Sequence, residues 1–196
     1  MWMVLRHLDL LGKRLRVLHV APEYGVAKGL FDASGDAYVP CDFDPSRYRS
    51  TFFSVRKLDL CSGLAEFPDE SFDLILHNHV LEHIPCDVGG VVAELDRILA
   101  PGGVHMFSVP IGPGPTVEDL SPGLTPEERR ARFGQEDHMR RFGREDLPAM
   151  LREIWSTEVV AVRNRDIFSD EELTVAGIPD QKAVPDSHSI FLRRKP

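Results

Sequence analysis

Phe72-Asp73-Leu74-Ile75-Leu76-His77, followed by Asn78-His79-Val80-Leu81-Glu82-His83-Ile84, is the stretch on which the fold turns. Its first half is a short, nearly continuous apolar run, the pattern of a strand buried on both faces. Downstream, Val88, Val91, Val92, Leu95, Ile98 and Leu99 recur at i, i+3, i+4 and i+7, one face of a helix. Asp87 is placed to cap its start, and Pro101-Gly102-Gly103 to stop it. Residues 104–109 then read as another strand.

Upstream, residues 15–21 read as a first strand, 25–31 as a short helix, 36–42 as a second strand ending in an acid, and 54–60 as a third strand. Before them, Val4, Leu5, Leu8 and Leu11 carry a helical period that Gly12 could end. Strands alternating with helices predict an α/β, Rossmann-like fold, a mostly parallel sheet with helices on both faces. Residues 158–162 and 189–192 look like closing strands, which brings the sheet to seven.

After Pro110 the character changes. Gly112-Pro113-Gly114-Pro115-Thr116 is a loop, and Thr125-Pro126-Glu127-Glu128 is a capping box with proline at the first helical position. Gly134 ends that helix, residues 135–143 form a polar stretch, and Asp146 is placed to cap a helix holding Leu147, Met150, Leu151, Ile154 and Trp155. The expected organisation is one domain over 1–196, with a lid-like insertion over about 112–145. A long charged loop containing Pro179 and Pro185 is expected over about 163–188, a length that usually signals function or mobility.

A net charge of −8 argues against a nucleic-acid substrate, because phosphate contacts need a basic face. The nearest candidate, Arg129, Arg130, Arg132, Arg140, Arg141 and Arg144, is interrupted by acids. A small-molecule or protein partner is expected instead. Cys41, Cys61 and Cys86 form no C-x-x-C pair, and an odd count argues against a secreted disulfide framework. No apolar run approaches the roughly 18 residues of a membrane span. The first residues carry no cleavage signal, so a cytoplasmic location and no membrane partner are expected. Oligomeric state has no signature.

Open parallel sheets bind ligands beyond the carboxyl ends of their strands, where strand order reverses. Asp42 ends the second strand, about 20 residues after the first loop, where nucleotide-binding folds place a carboxylate for a ribose. The alternative is a turn-forming aspartate before Asp44-Pro45. Asp59 ends the third strand and could accept an adenine amino group, or could be another turn residue.

Taken together, Phe67-Pro68-Asp69-Glu70-Ser71-Phe72-Asp73-Leu74-Ile75, His79-Val80-Leu81-Glu82-His83-Ile84 and Glu94-Leu95-Asp96-Arg97-Ile98-Leu99-Ala100-Pro101-Gly102-Gly103 resemble class I S-adenosylmethionine-dependent methyltransferases of the type 11-like kind. The resemblance runs from about residue 17 to 109. It implies S-adenosylmethionine as cofactor and methyl transfer as the activity. Carried over by position, Asp42 resembles the ribose-binding acid, with Phe43 beside it in the cofactor-binding set. Asp59 and Leu60 resemble the adenine-contacting pair, and Asn78 and His79 sit where the family lines the methionyl part.

The first loop departs from that pattern. The family has an acid followed by three alternating glycines; here those positions read His19, Ala21, Glu23 and Gly25. Glycine lets backbone approach a cofactor without a Cβ between them. Ala21 is a mild change and Glu23 is not. Either Glu23 supplies the carboxylate missing at His19, or the chain binds the cofactor without catalysing. A nucleotide-binding Rossmann oxidoreductase is a third reading. No G-x-G-x-x-G supports it, and Tyr24-Gly25-Val26-Ala27-Lys28 lies in the wrong place for a hydride-transfer pair.

His77-x-His79-x-x-x-His83 has the look of a metal cluster, but Leu81 stands where a metallo-hydrolase needs aspartate, so no metal is expected. Gly134-Gln135-Glu136-Asp137-His138 is similar to a segment of some methyltransferase-like sequences. His138 is a candidate general base and Arg140 a candidate clamp for an acceptor anion, against the alternative of a surface loop.

Overall fold

The computed structural model describes residues 1–49, 52–157, 159–178 and 188–196. The buried run of Phe72–Asn78 is β4, the middle of a parallel sheet. β1 (Val17–Val20) pairs with it in parallel, β2 (Tyr38–Asp42) pairs with β1, and the two-residue β3 (Arg56–Lys57) lies outside β2. On its other side is β5 (Leu99–Gly112), also parallel. β9 (His188–Arg194) is antiparallel to β5, and β8 (Val160–Val162) is antiparallel to β9. These seven strands run β3-β2-β1-β4-β5-β9-β8, with β9 alone reversed. The chain leaves β1 in one direction and returns through β4 in the other, so strand order reverses between them.

The pleat decides which side chains meet which helices. Leu74, Leu76, Val17 and Val104 share a cluster with α1 (Trp2–His7) and α2 (Tyr24–Ser34). Ile75, Leu18 and Phe107 share the other with α3 (Val88–Ile98) and α5 (Leu147–Trp155). Burial on both faces is the reason the centres of these strands carry apolar residues at successive positions.

Two strands beyond the expected seven come from residues 112–145. β6 (Val117–Glu118) and β7 (Arg140–Gly143) form an antiparallel pair, and β7 extends the end of β5 at Ile111 and Gly112. Between them lies α4 (Pro126–Phe133), with the expected capping box at Thr125 and Glu128 and a left-handed cap at Gly134. The stretch expected to be polar loop thus holds a buried strand. Hydrophobic pattern could not show this, because its buried side chains include His138 and Arg140.

Other expectations need correcting. The helix before Pro101 ends at Ile98, because Leu99 is already extended; Pro101-Gly102-Gly103 lies inside β5, and the β4–β5 register shifts between Phe72 and Leu74. β3 is two residues long, not seven, since most of residues 54–60 lies outside the ladder. α1 stops at His7, well before Gly12. Asp146 occupies the cap position of α5 without capping it; its carboxylate accepts from the Thr116 amide and hydroxyl, both at 2.7 Å. The described part of the long loop holds α6 (Asn164–Ile167) and α7 (Asp170–Val175). Pro179, Pro185 and Glu158 lie outside the described residues.

The cysteine reading is also corrected. Cys61 and Cys86 form a disulfide, while Cys41 is free and buried. Sequence spacing could not foretell a bridge between two loops that only the sheet brings together. Among the described residues, no helix is long and apolar enough to cross a membrane.

Candidate functional site

The reversal point between β1 and β4 gathers the variant loop into one hydrogen-bonded chain. His19 is fully buried on β1, with Nδ1 3.0 Å from the Tyr38 hydroxyl and Nε2 3.1 Å from Glu23 Oε2. Glu23 Oε1 accepts from Asn78 Nδ2 at 2.5 Å, and Asn78 Oδ1 accepts from the Ser108 hydroxyl at 2.9 Å. Residues at the carboxyl ends of β1, β4 and β5 are thereby linked through Glu23. Burial raises the Glu23 pKa, but hydrogen bonds from His19 and Asn78 outweigh it, so the net shift is downward and the carboxylate stays ionised. Its side chain remains 45% exposed, which leaves it available to a ligand.

The backbone here makes room without glycine. Ala21 has φ 51° and His79 φ 51°, both in the left-handed region that costs a residue with a Cβ on the order of 1–2 kcal/mol. Non-glycine residues hold such angles where surrounding structure over-determines them, often at ligand sites. The Ala21 amide bonds to the Cys41 carbonyl and the His79 amide to the Ser108 carbonyl, which fixes both. Gly25, in the first turn of α2, would meet nothing within 4 Å if given a Cβ. Glu23 precedes α2 without capping it, so no side chain closes that helix start.

The residues expected to meet an adenosine are arranged differently. Asp42 is mostly buried, with Oδ1 accepting from the Asp44 amide at 2.8 Å and Oδ2 from the Tyr48 hydroxyl at 2.6 Å. Asp59 accepts from the Cys61 amide at 2.9 Å and the Ser62 hydroxyl at 3.1 Å. Both acids therefore perform the turn work given as the alternative reading, while each carboxylate oxygen keeps a second lone pair. Phe43 is 68% exposed beside Asp42, a flat apolar face at the strand end, and Leu60 is buried behind Asp59.

The third group lies where residues 112–145 meet the loop after β4. Glu82 is buried, its Oε1 3.2 Å from His79 Nδ1, and its Oε2 is buried with no hydrogen-bond partner. The Glu82 bond raises the His79 pKa above the ordinary imidazole value, against the opposing effect of burial. His138 is 3% exposed, its Nδ1 3.2 Å from the Phe133 carbonyl, and its ring packs edge-on to His83 at 4.7 Å. Burial, then the nearby His83, lowers its pKa, so its ring is neutral at pH 7.

Arg140 is buried and donates to the carbonyls of Leu81 at 2.5 Å, Ile84 at 2.7 Å and Cys86 at 2.9 Å, and through Nε to Glu118 at 2.5 Å. With four of its five N–H groups engaged, it holds the loop in place and offers little to an external anion.

The three histidines of the apparent metal motif go separate ways. His77 is buried against His105, His79 turns to Glu82, and His83 turns to His138 and Asp137. Tyr24 is exposed and Lys28 pairs with Asp32. Sequence reasoning missed Tyr38, Ser108 and Glu82 as members of the site. Glu82 carried a signal, an acid in an otherwise apolar Val80-Leu81-x-x-Ile84 frame; Tyr38 and Ser108 carried none.

Comparison with known proteins bears on the fold and on one segment of the chain. Residues 25–107, under half of the chain, match a family model described as a methyltransferase domain. No curated protein matches. Among solved structures, an S-adenosylmethionine-dependent methyltransferase from Mesorhizobium loti is similar, with TM-score 0.65 and 15% identity, over 99% of this chain and 97% of that one. One from Archaeoglobus fulgidus matches with TM-score 0.61 and 16% identity, over 98% and 92%. A Burkholderia thailandensis 1,6-didemethyltoxoflavin-N1-methyltransferase, solved with 1,6-didemethyltoxoflavin and S-adenosylhomocysteine, matches with TM-score 0.59 and 19% identity, over 99% and 75%. At such identities these likenesses concern the fold, while the matched segment includes Asp42, Asp59, Asn78 and His79 and leaves out His19, Ala21, Glu23 and Ser108. The chain thus has the fold of these S-adenosylmethionine-dependent methyltransferases, and its residues 25–107 are similar to a methyltransferase domain.

Proposed function

We infer that the chain transfers a methyl group from S-adenosylmethionine to a small-molecule or protein acceptor. The observation that carries this reading is Glu23, an ionised, half-exposed carboxylate held between His19 and Asn78 at the sheet's reversal point. It occupies one of the family's glycine positions, hydrogen-bonded to the His19 that replaces the family's acid, and the residues present fit the cofactor's cationic methionyl end. When bound, the cofactor's sulfonium would supply an electrophilic methyl group. Glu23 would hold the amino group, with His19 and Asn78 fixing the carboxylate's rotamer from either side. Asn78 and His79 would line the methionyl part, and Ala21 and Gly25 would allow close backbone approach. Asp42 would use its spare lone pairs for the ribose, Phe43 would cover the adenine, and Asp59 with Leu60 would contact its edge.

Methyl transfer then rests on in-line alignment and exclusion of water. Residues 112–145 would close over the reactive end, with His138 and Arg140 on that side. His138 presents a neutral ring whose Nε2 lone pair is the one left over, since Nδ1 faces a carbonyl. Arg140 would act by positioning the loop of Leu81, Ile84 and Cys86.

Calorimetry tests the reading. S-adenosylmethionine and S-adenosylhomocysteine should bind and NAD should not, and Glu23→Gln should weaken binding about tenfold, the loss of one charge-assisted contact. Preference for NAD would make the chain an oxidoreductase-type nucleotide binder. Unchanged affinity in Glu23→Gln would remove Glu23 from the site.

A further inference from the structure

We propose that Glu82, His83 and His138 form a binding site for a divalent first-row transition-metal ion, of the zinc or cobalt(II) class. One oxygen or nitrogen from each of these three residues lies within 4.8 Å of the others. Two imidazoles and one carboxylate are a donor set that suits such ions.

The orphaned atom points the same way. Glu82 is 1% exposed, and its Oε2 is buried without any hydrogen-bond partner. A buried carboxylate oxygen with no partner is costly and calls for a compensating charge. Each of the two rings also has a nitrogen to spare. His138 Nδ1 lies 3.2 Å from the Phe133 carbonyl, so it carries the proton and leaves the Nε2 lone pair free. His83 Nδ1 lies 3.3 Å from Asp137 Oδ2, which does the same for its Nε2. Carbonyl and carboxylate partners of this kind are what fix ligating histidines.

The backbone is built to bring these residues together. The Met139 amide donates to the Glu82 carbonyl at 2.8 Å, and Arg129 donates to the His138 carbonyl at 3.1 Å. Arg140 grips the carbonyls of Leu81 and Ile84, which bracket the two ligands Glu82 and His83. Bonds of about 2.0–2.2 Å place tetrahedral ligands on the order of 3.4 Å apart, so the cluster must contract on loading. That movement falls most easily on His83, whose side chain is 34% exposed while Glu82 and His138 are packed. Three protein ligands leave at least one position open for water or an oxygen of a bound molecule. With His138 Nε2 on the ion, that nitrogen no longer serves as a base.

The test needs neither cofactor nor acceptor, so it stands apart from the methyl-transfer reading. The untagged full chain, stripped with chelator, is titrated with cobalt(II) chloride and followed by visible absorbance and calorimetry. We expect one equivalent bound, with ligand-field bands, and displacement by zinc one for one. Glu82→Gln and His138→Gln should each weaken uptake by about 100-fold or more, and Asp137→Asn by about 10-fold, as for loss of an outer partner. Asp137 is exposed, so that variant decides the matter if the two buried substitutions prevent folding. Absence of uptake by the native chain, or unchanged uptake in every variant that remains folded, overturns the assignment.

Discussion

Acid should destabilise this protein through a pair of buried histidines that takes no part in the site. His77 on β4 and His105 on β5 are both fully buried, with Nε2 atoms 2.9 Å apart. Phe107 stacks on His77 at 4.8 Å, and Trp155 lies edge-on to His105 at 6.0 Å. One ring donates and the other accepts, and each Nδ1 is buried without a partner. A proton added here would place a charge in an apolar layer. Burial, then Arg193, pushes the His105 pKa down to about 3, and burial, then His105 and His19, pushes His77 well below its ordinary value.

The folded pKa values lie below the unfolded ones. The pair's neutral state is therefore fully stable above about pH 6.5, and its contribution is lost as pH falls toward the folded values, because the unfolded chain takes up protons first. At pH 4.5 the unfolded His105 is two units below its pKa, a loss of about 3 kcal/mol at 1.36 kcal/mol per unit. His77 adds a loss of the same sign. Against a total of about 5–15 kcal/mol for a domain, that is a large fraction. Urea unfolding at pH 7 and pH 4.5 measures it, with tryptophan fluorescence as the signal. The double variant His77→Leu, His105→Leu removes both polar partners together, which is tolerated far better than removing one. Its loss between the two pH values should be smaller than the native chain's by at least about 3 kcal/mol. Equal losses would refute the reasoning.

Cys61 and Cys86 close a loop over a separation of 25 residues, so Cys61→Ser with Cys86→Ser should lower stability by about 3 kcal/mol; an unchanged urea midpoint would contradict this. Arg140→Met leaves three loop carbonyls and Glu118 without their donor, a change on the order of 3–5 kcal/mol. Hydrogen exchange should accelerate across residues 81–86, and retained protection would show that Arg140 does not hold the loop. A Cβ at Gly143 would lie 2.3 Å from the Pro115 carbonyl carbon and 2.4 Å from the Thr116 nitrogen, backbone that cannot easily yield. Gly143→Ala should cost about 1–3 kcal/mol in thermal unfolding. Gly25→Ala, with nothing within 4 Å, should leave the melting temperature intact and act only on cofactor binding.

The order of the central strands and helices was legible in the sequence because each of them advertises its own period, which β6, β7, α6 and α7 do not. Phe72–Asn78 holds the unbroken apolar run Leu74-Ile75-Leu76 since both faces are covered there, and Val88–Ile98 shows one apolar stripe since one face is. Asp87 caps α3 through the Gly89 and Gly90 amides, as its position predicted. Capping is a contact between near neighbours, so sequence contains it. Element ends were less legible: the stop assigned to Pro101-Gly102-Gly103 came too late, because pairing with β4 draws the chain into a strand at Leu99.

The sequence by itself determined the core α/β order and the caps of α3 and α4, and it named the strand-end positions proposed to meet a ligand, since these depend on residues a few places apart. Only the tertiary structure decided what those positions do. Glu23 lies 55 residues from Asn78, and the reversal between β1 and β4 makes them partners. His138 lies 56 residues after Glu82, and a backbone bond from Met139 brings them together. Cys61 reaches Cys86 the same way, across loops that share one end of the sheet. Asp42 and Asp59 had two readings each, and folding engaged both in local turns while leaving lone pairs over. Contacts across the sheet leave no periodic trace in the chain, because what fixes them is the packing of whole elements and not the spacing of residues.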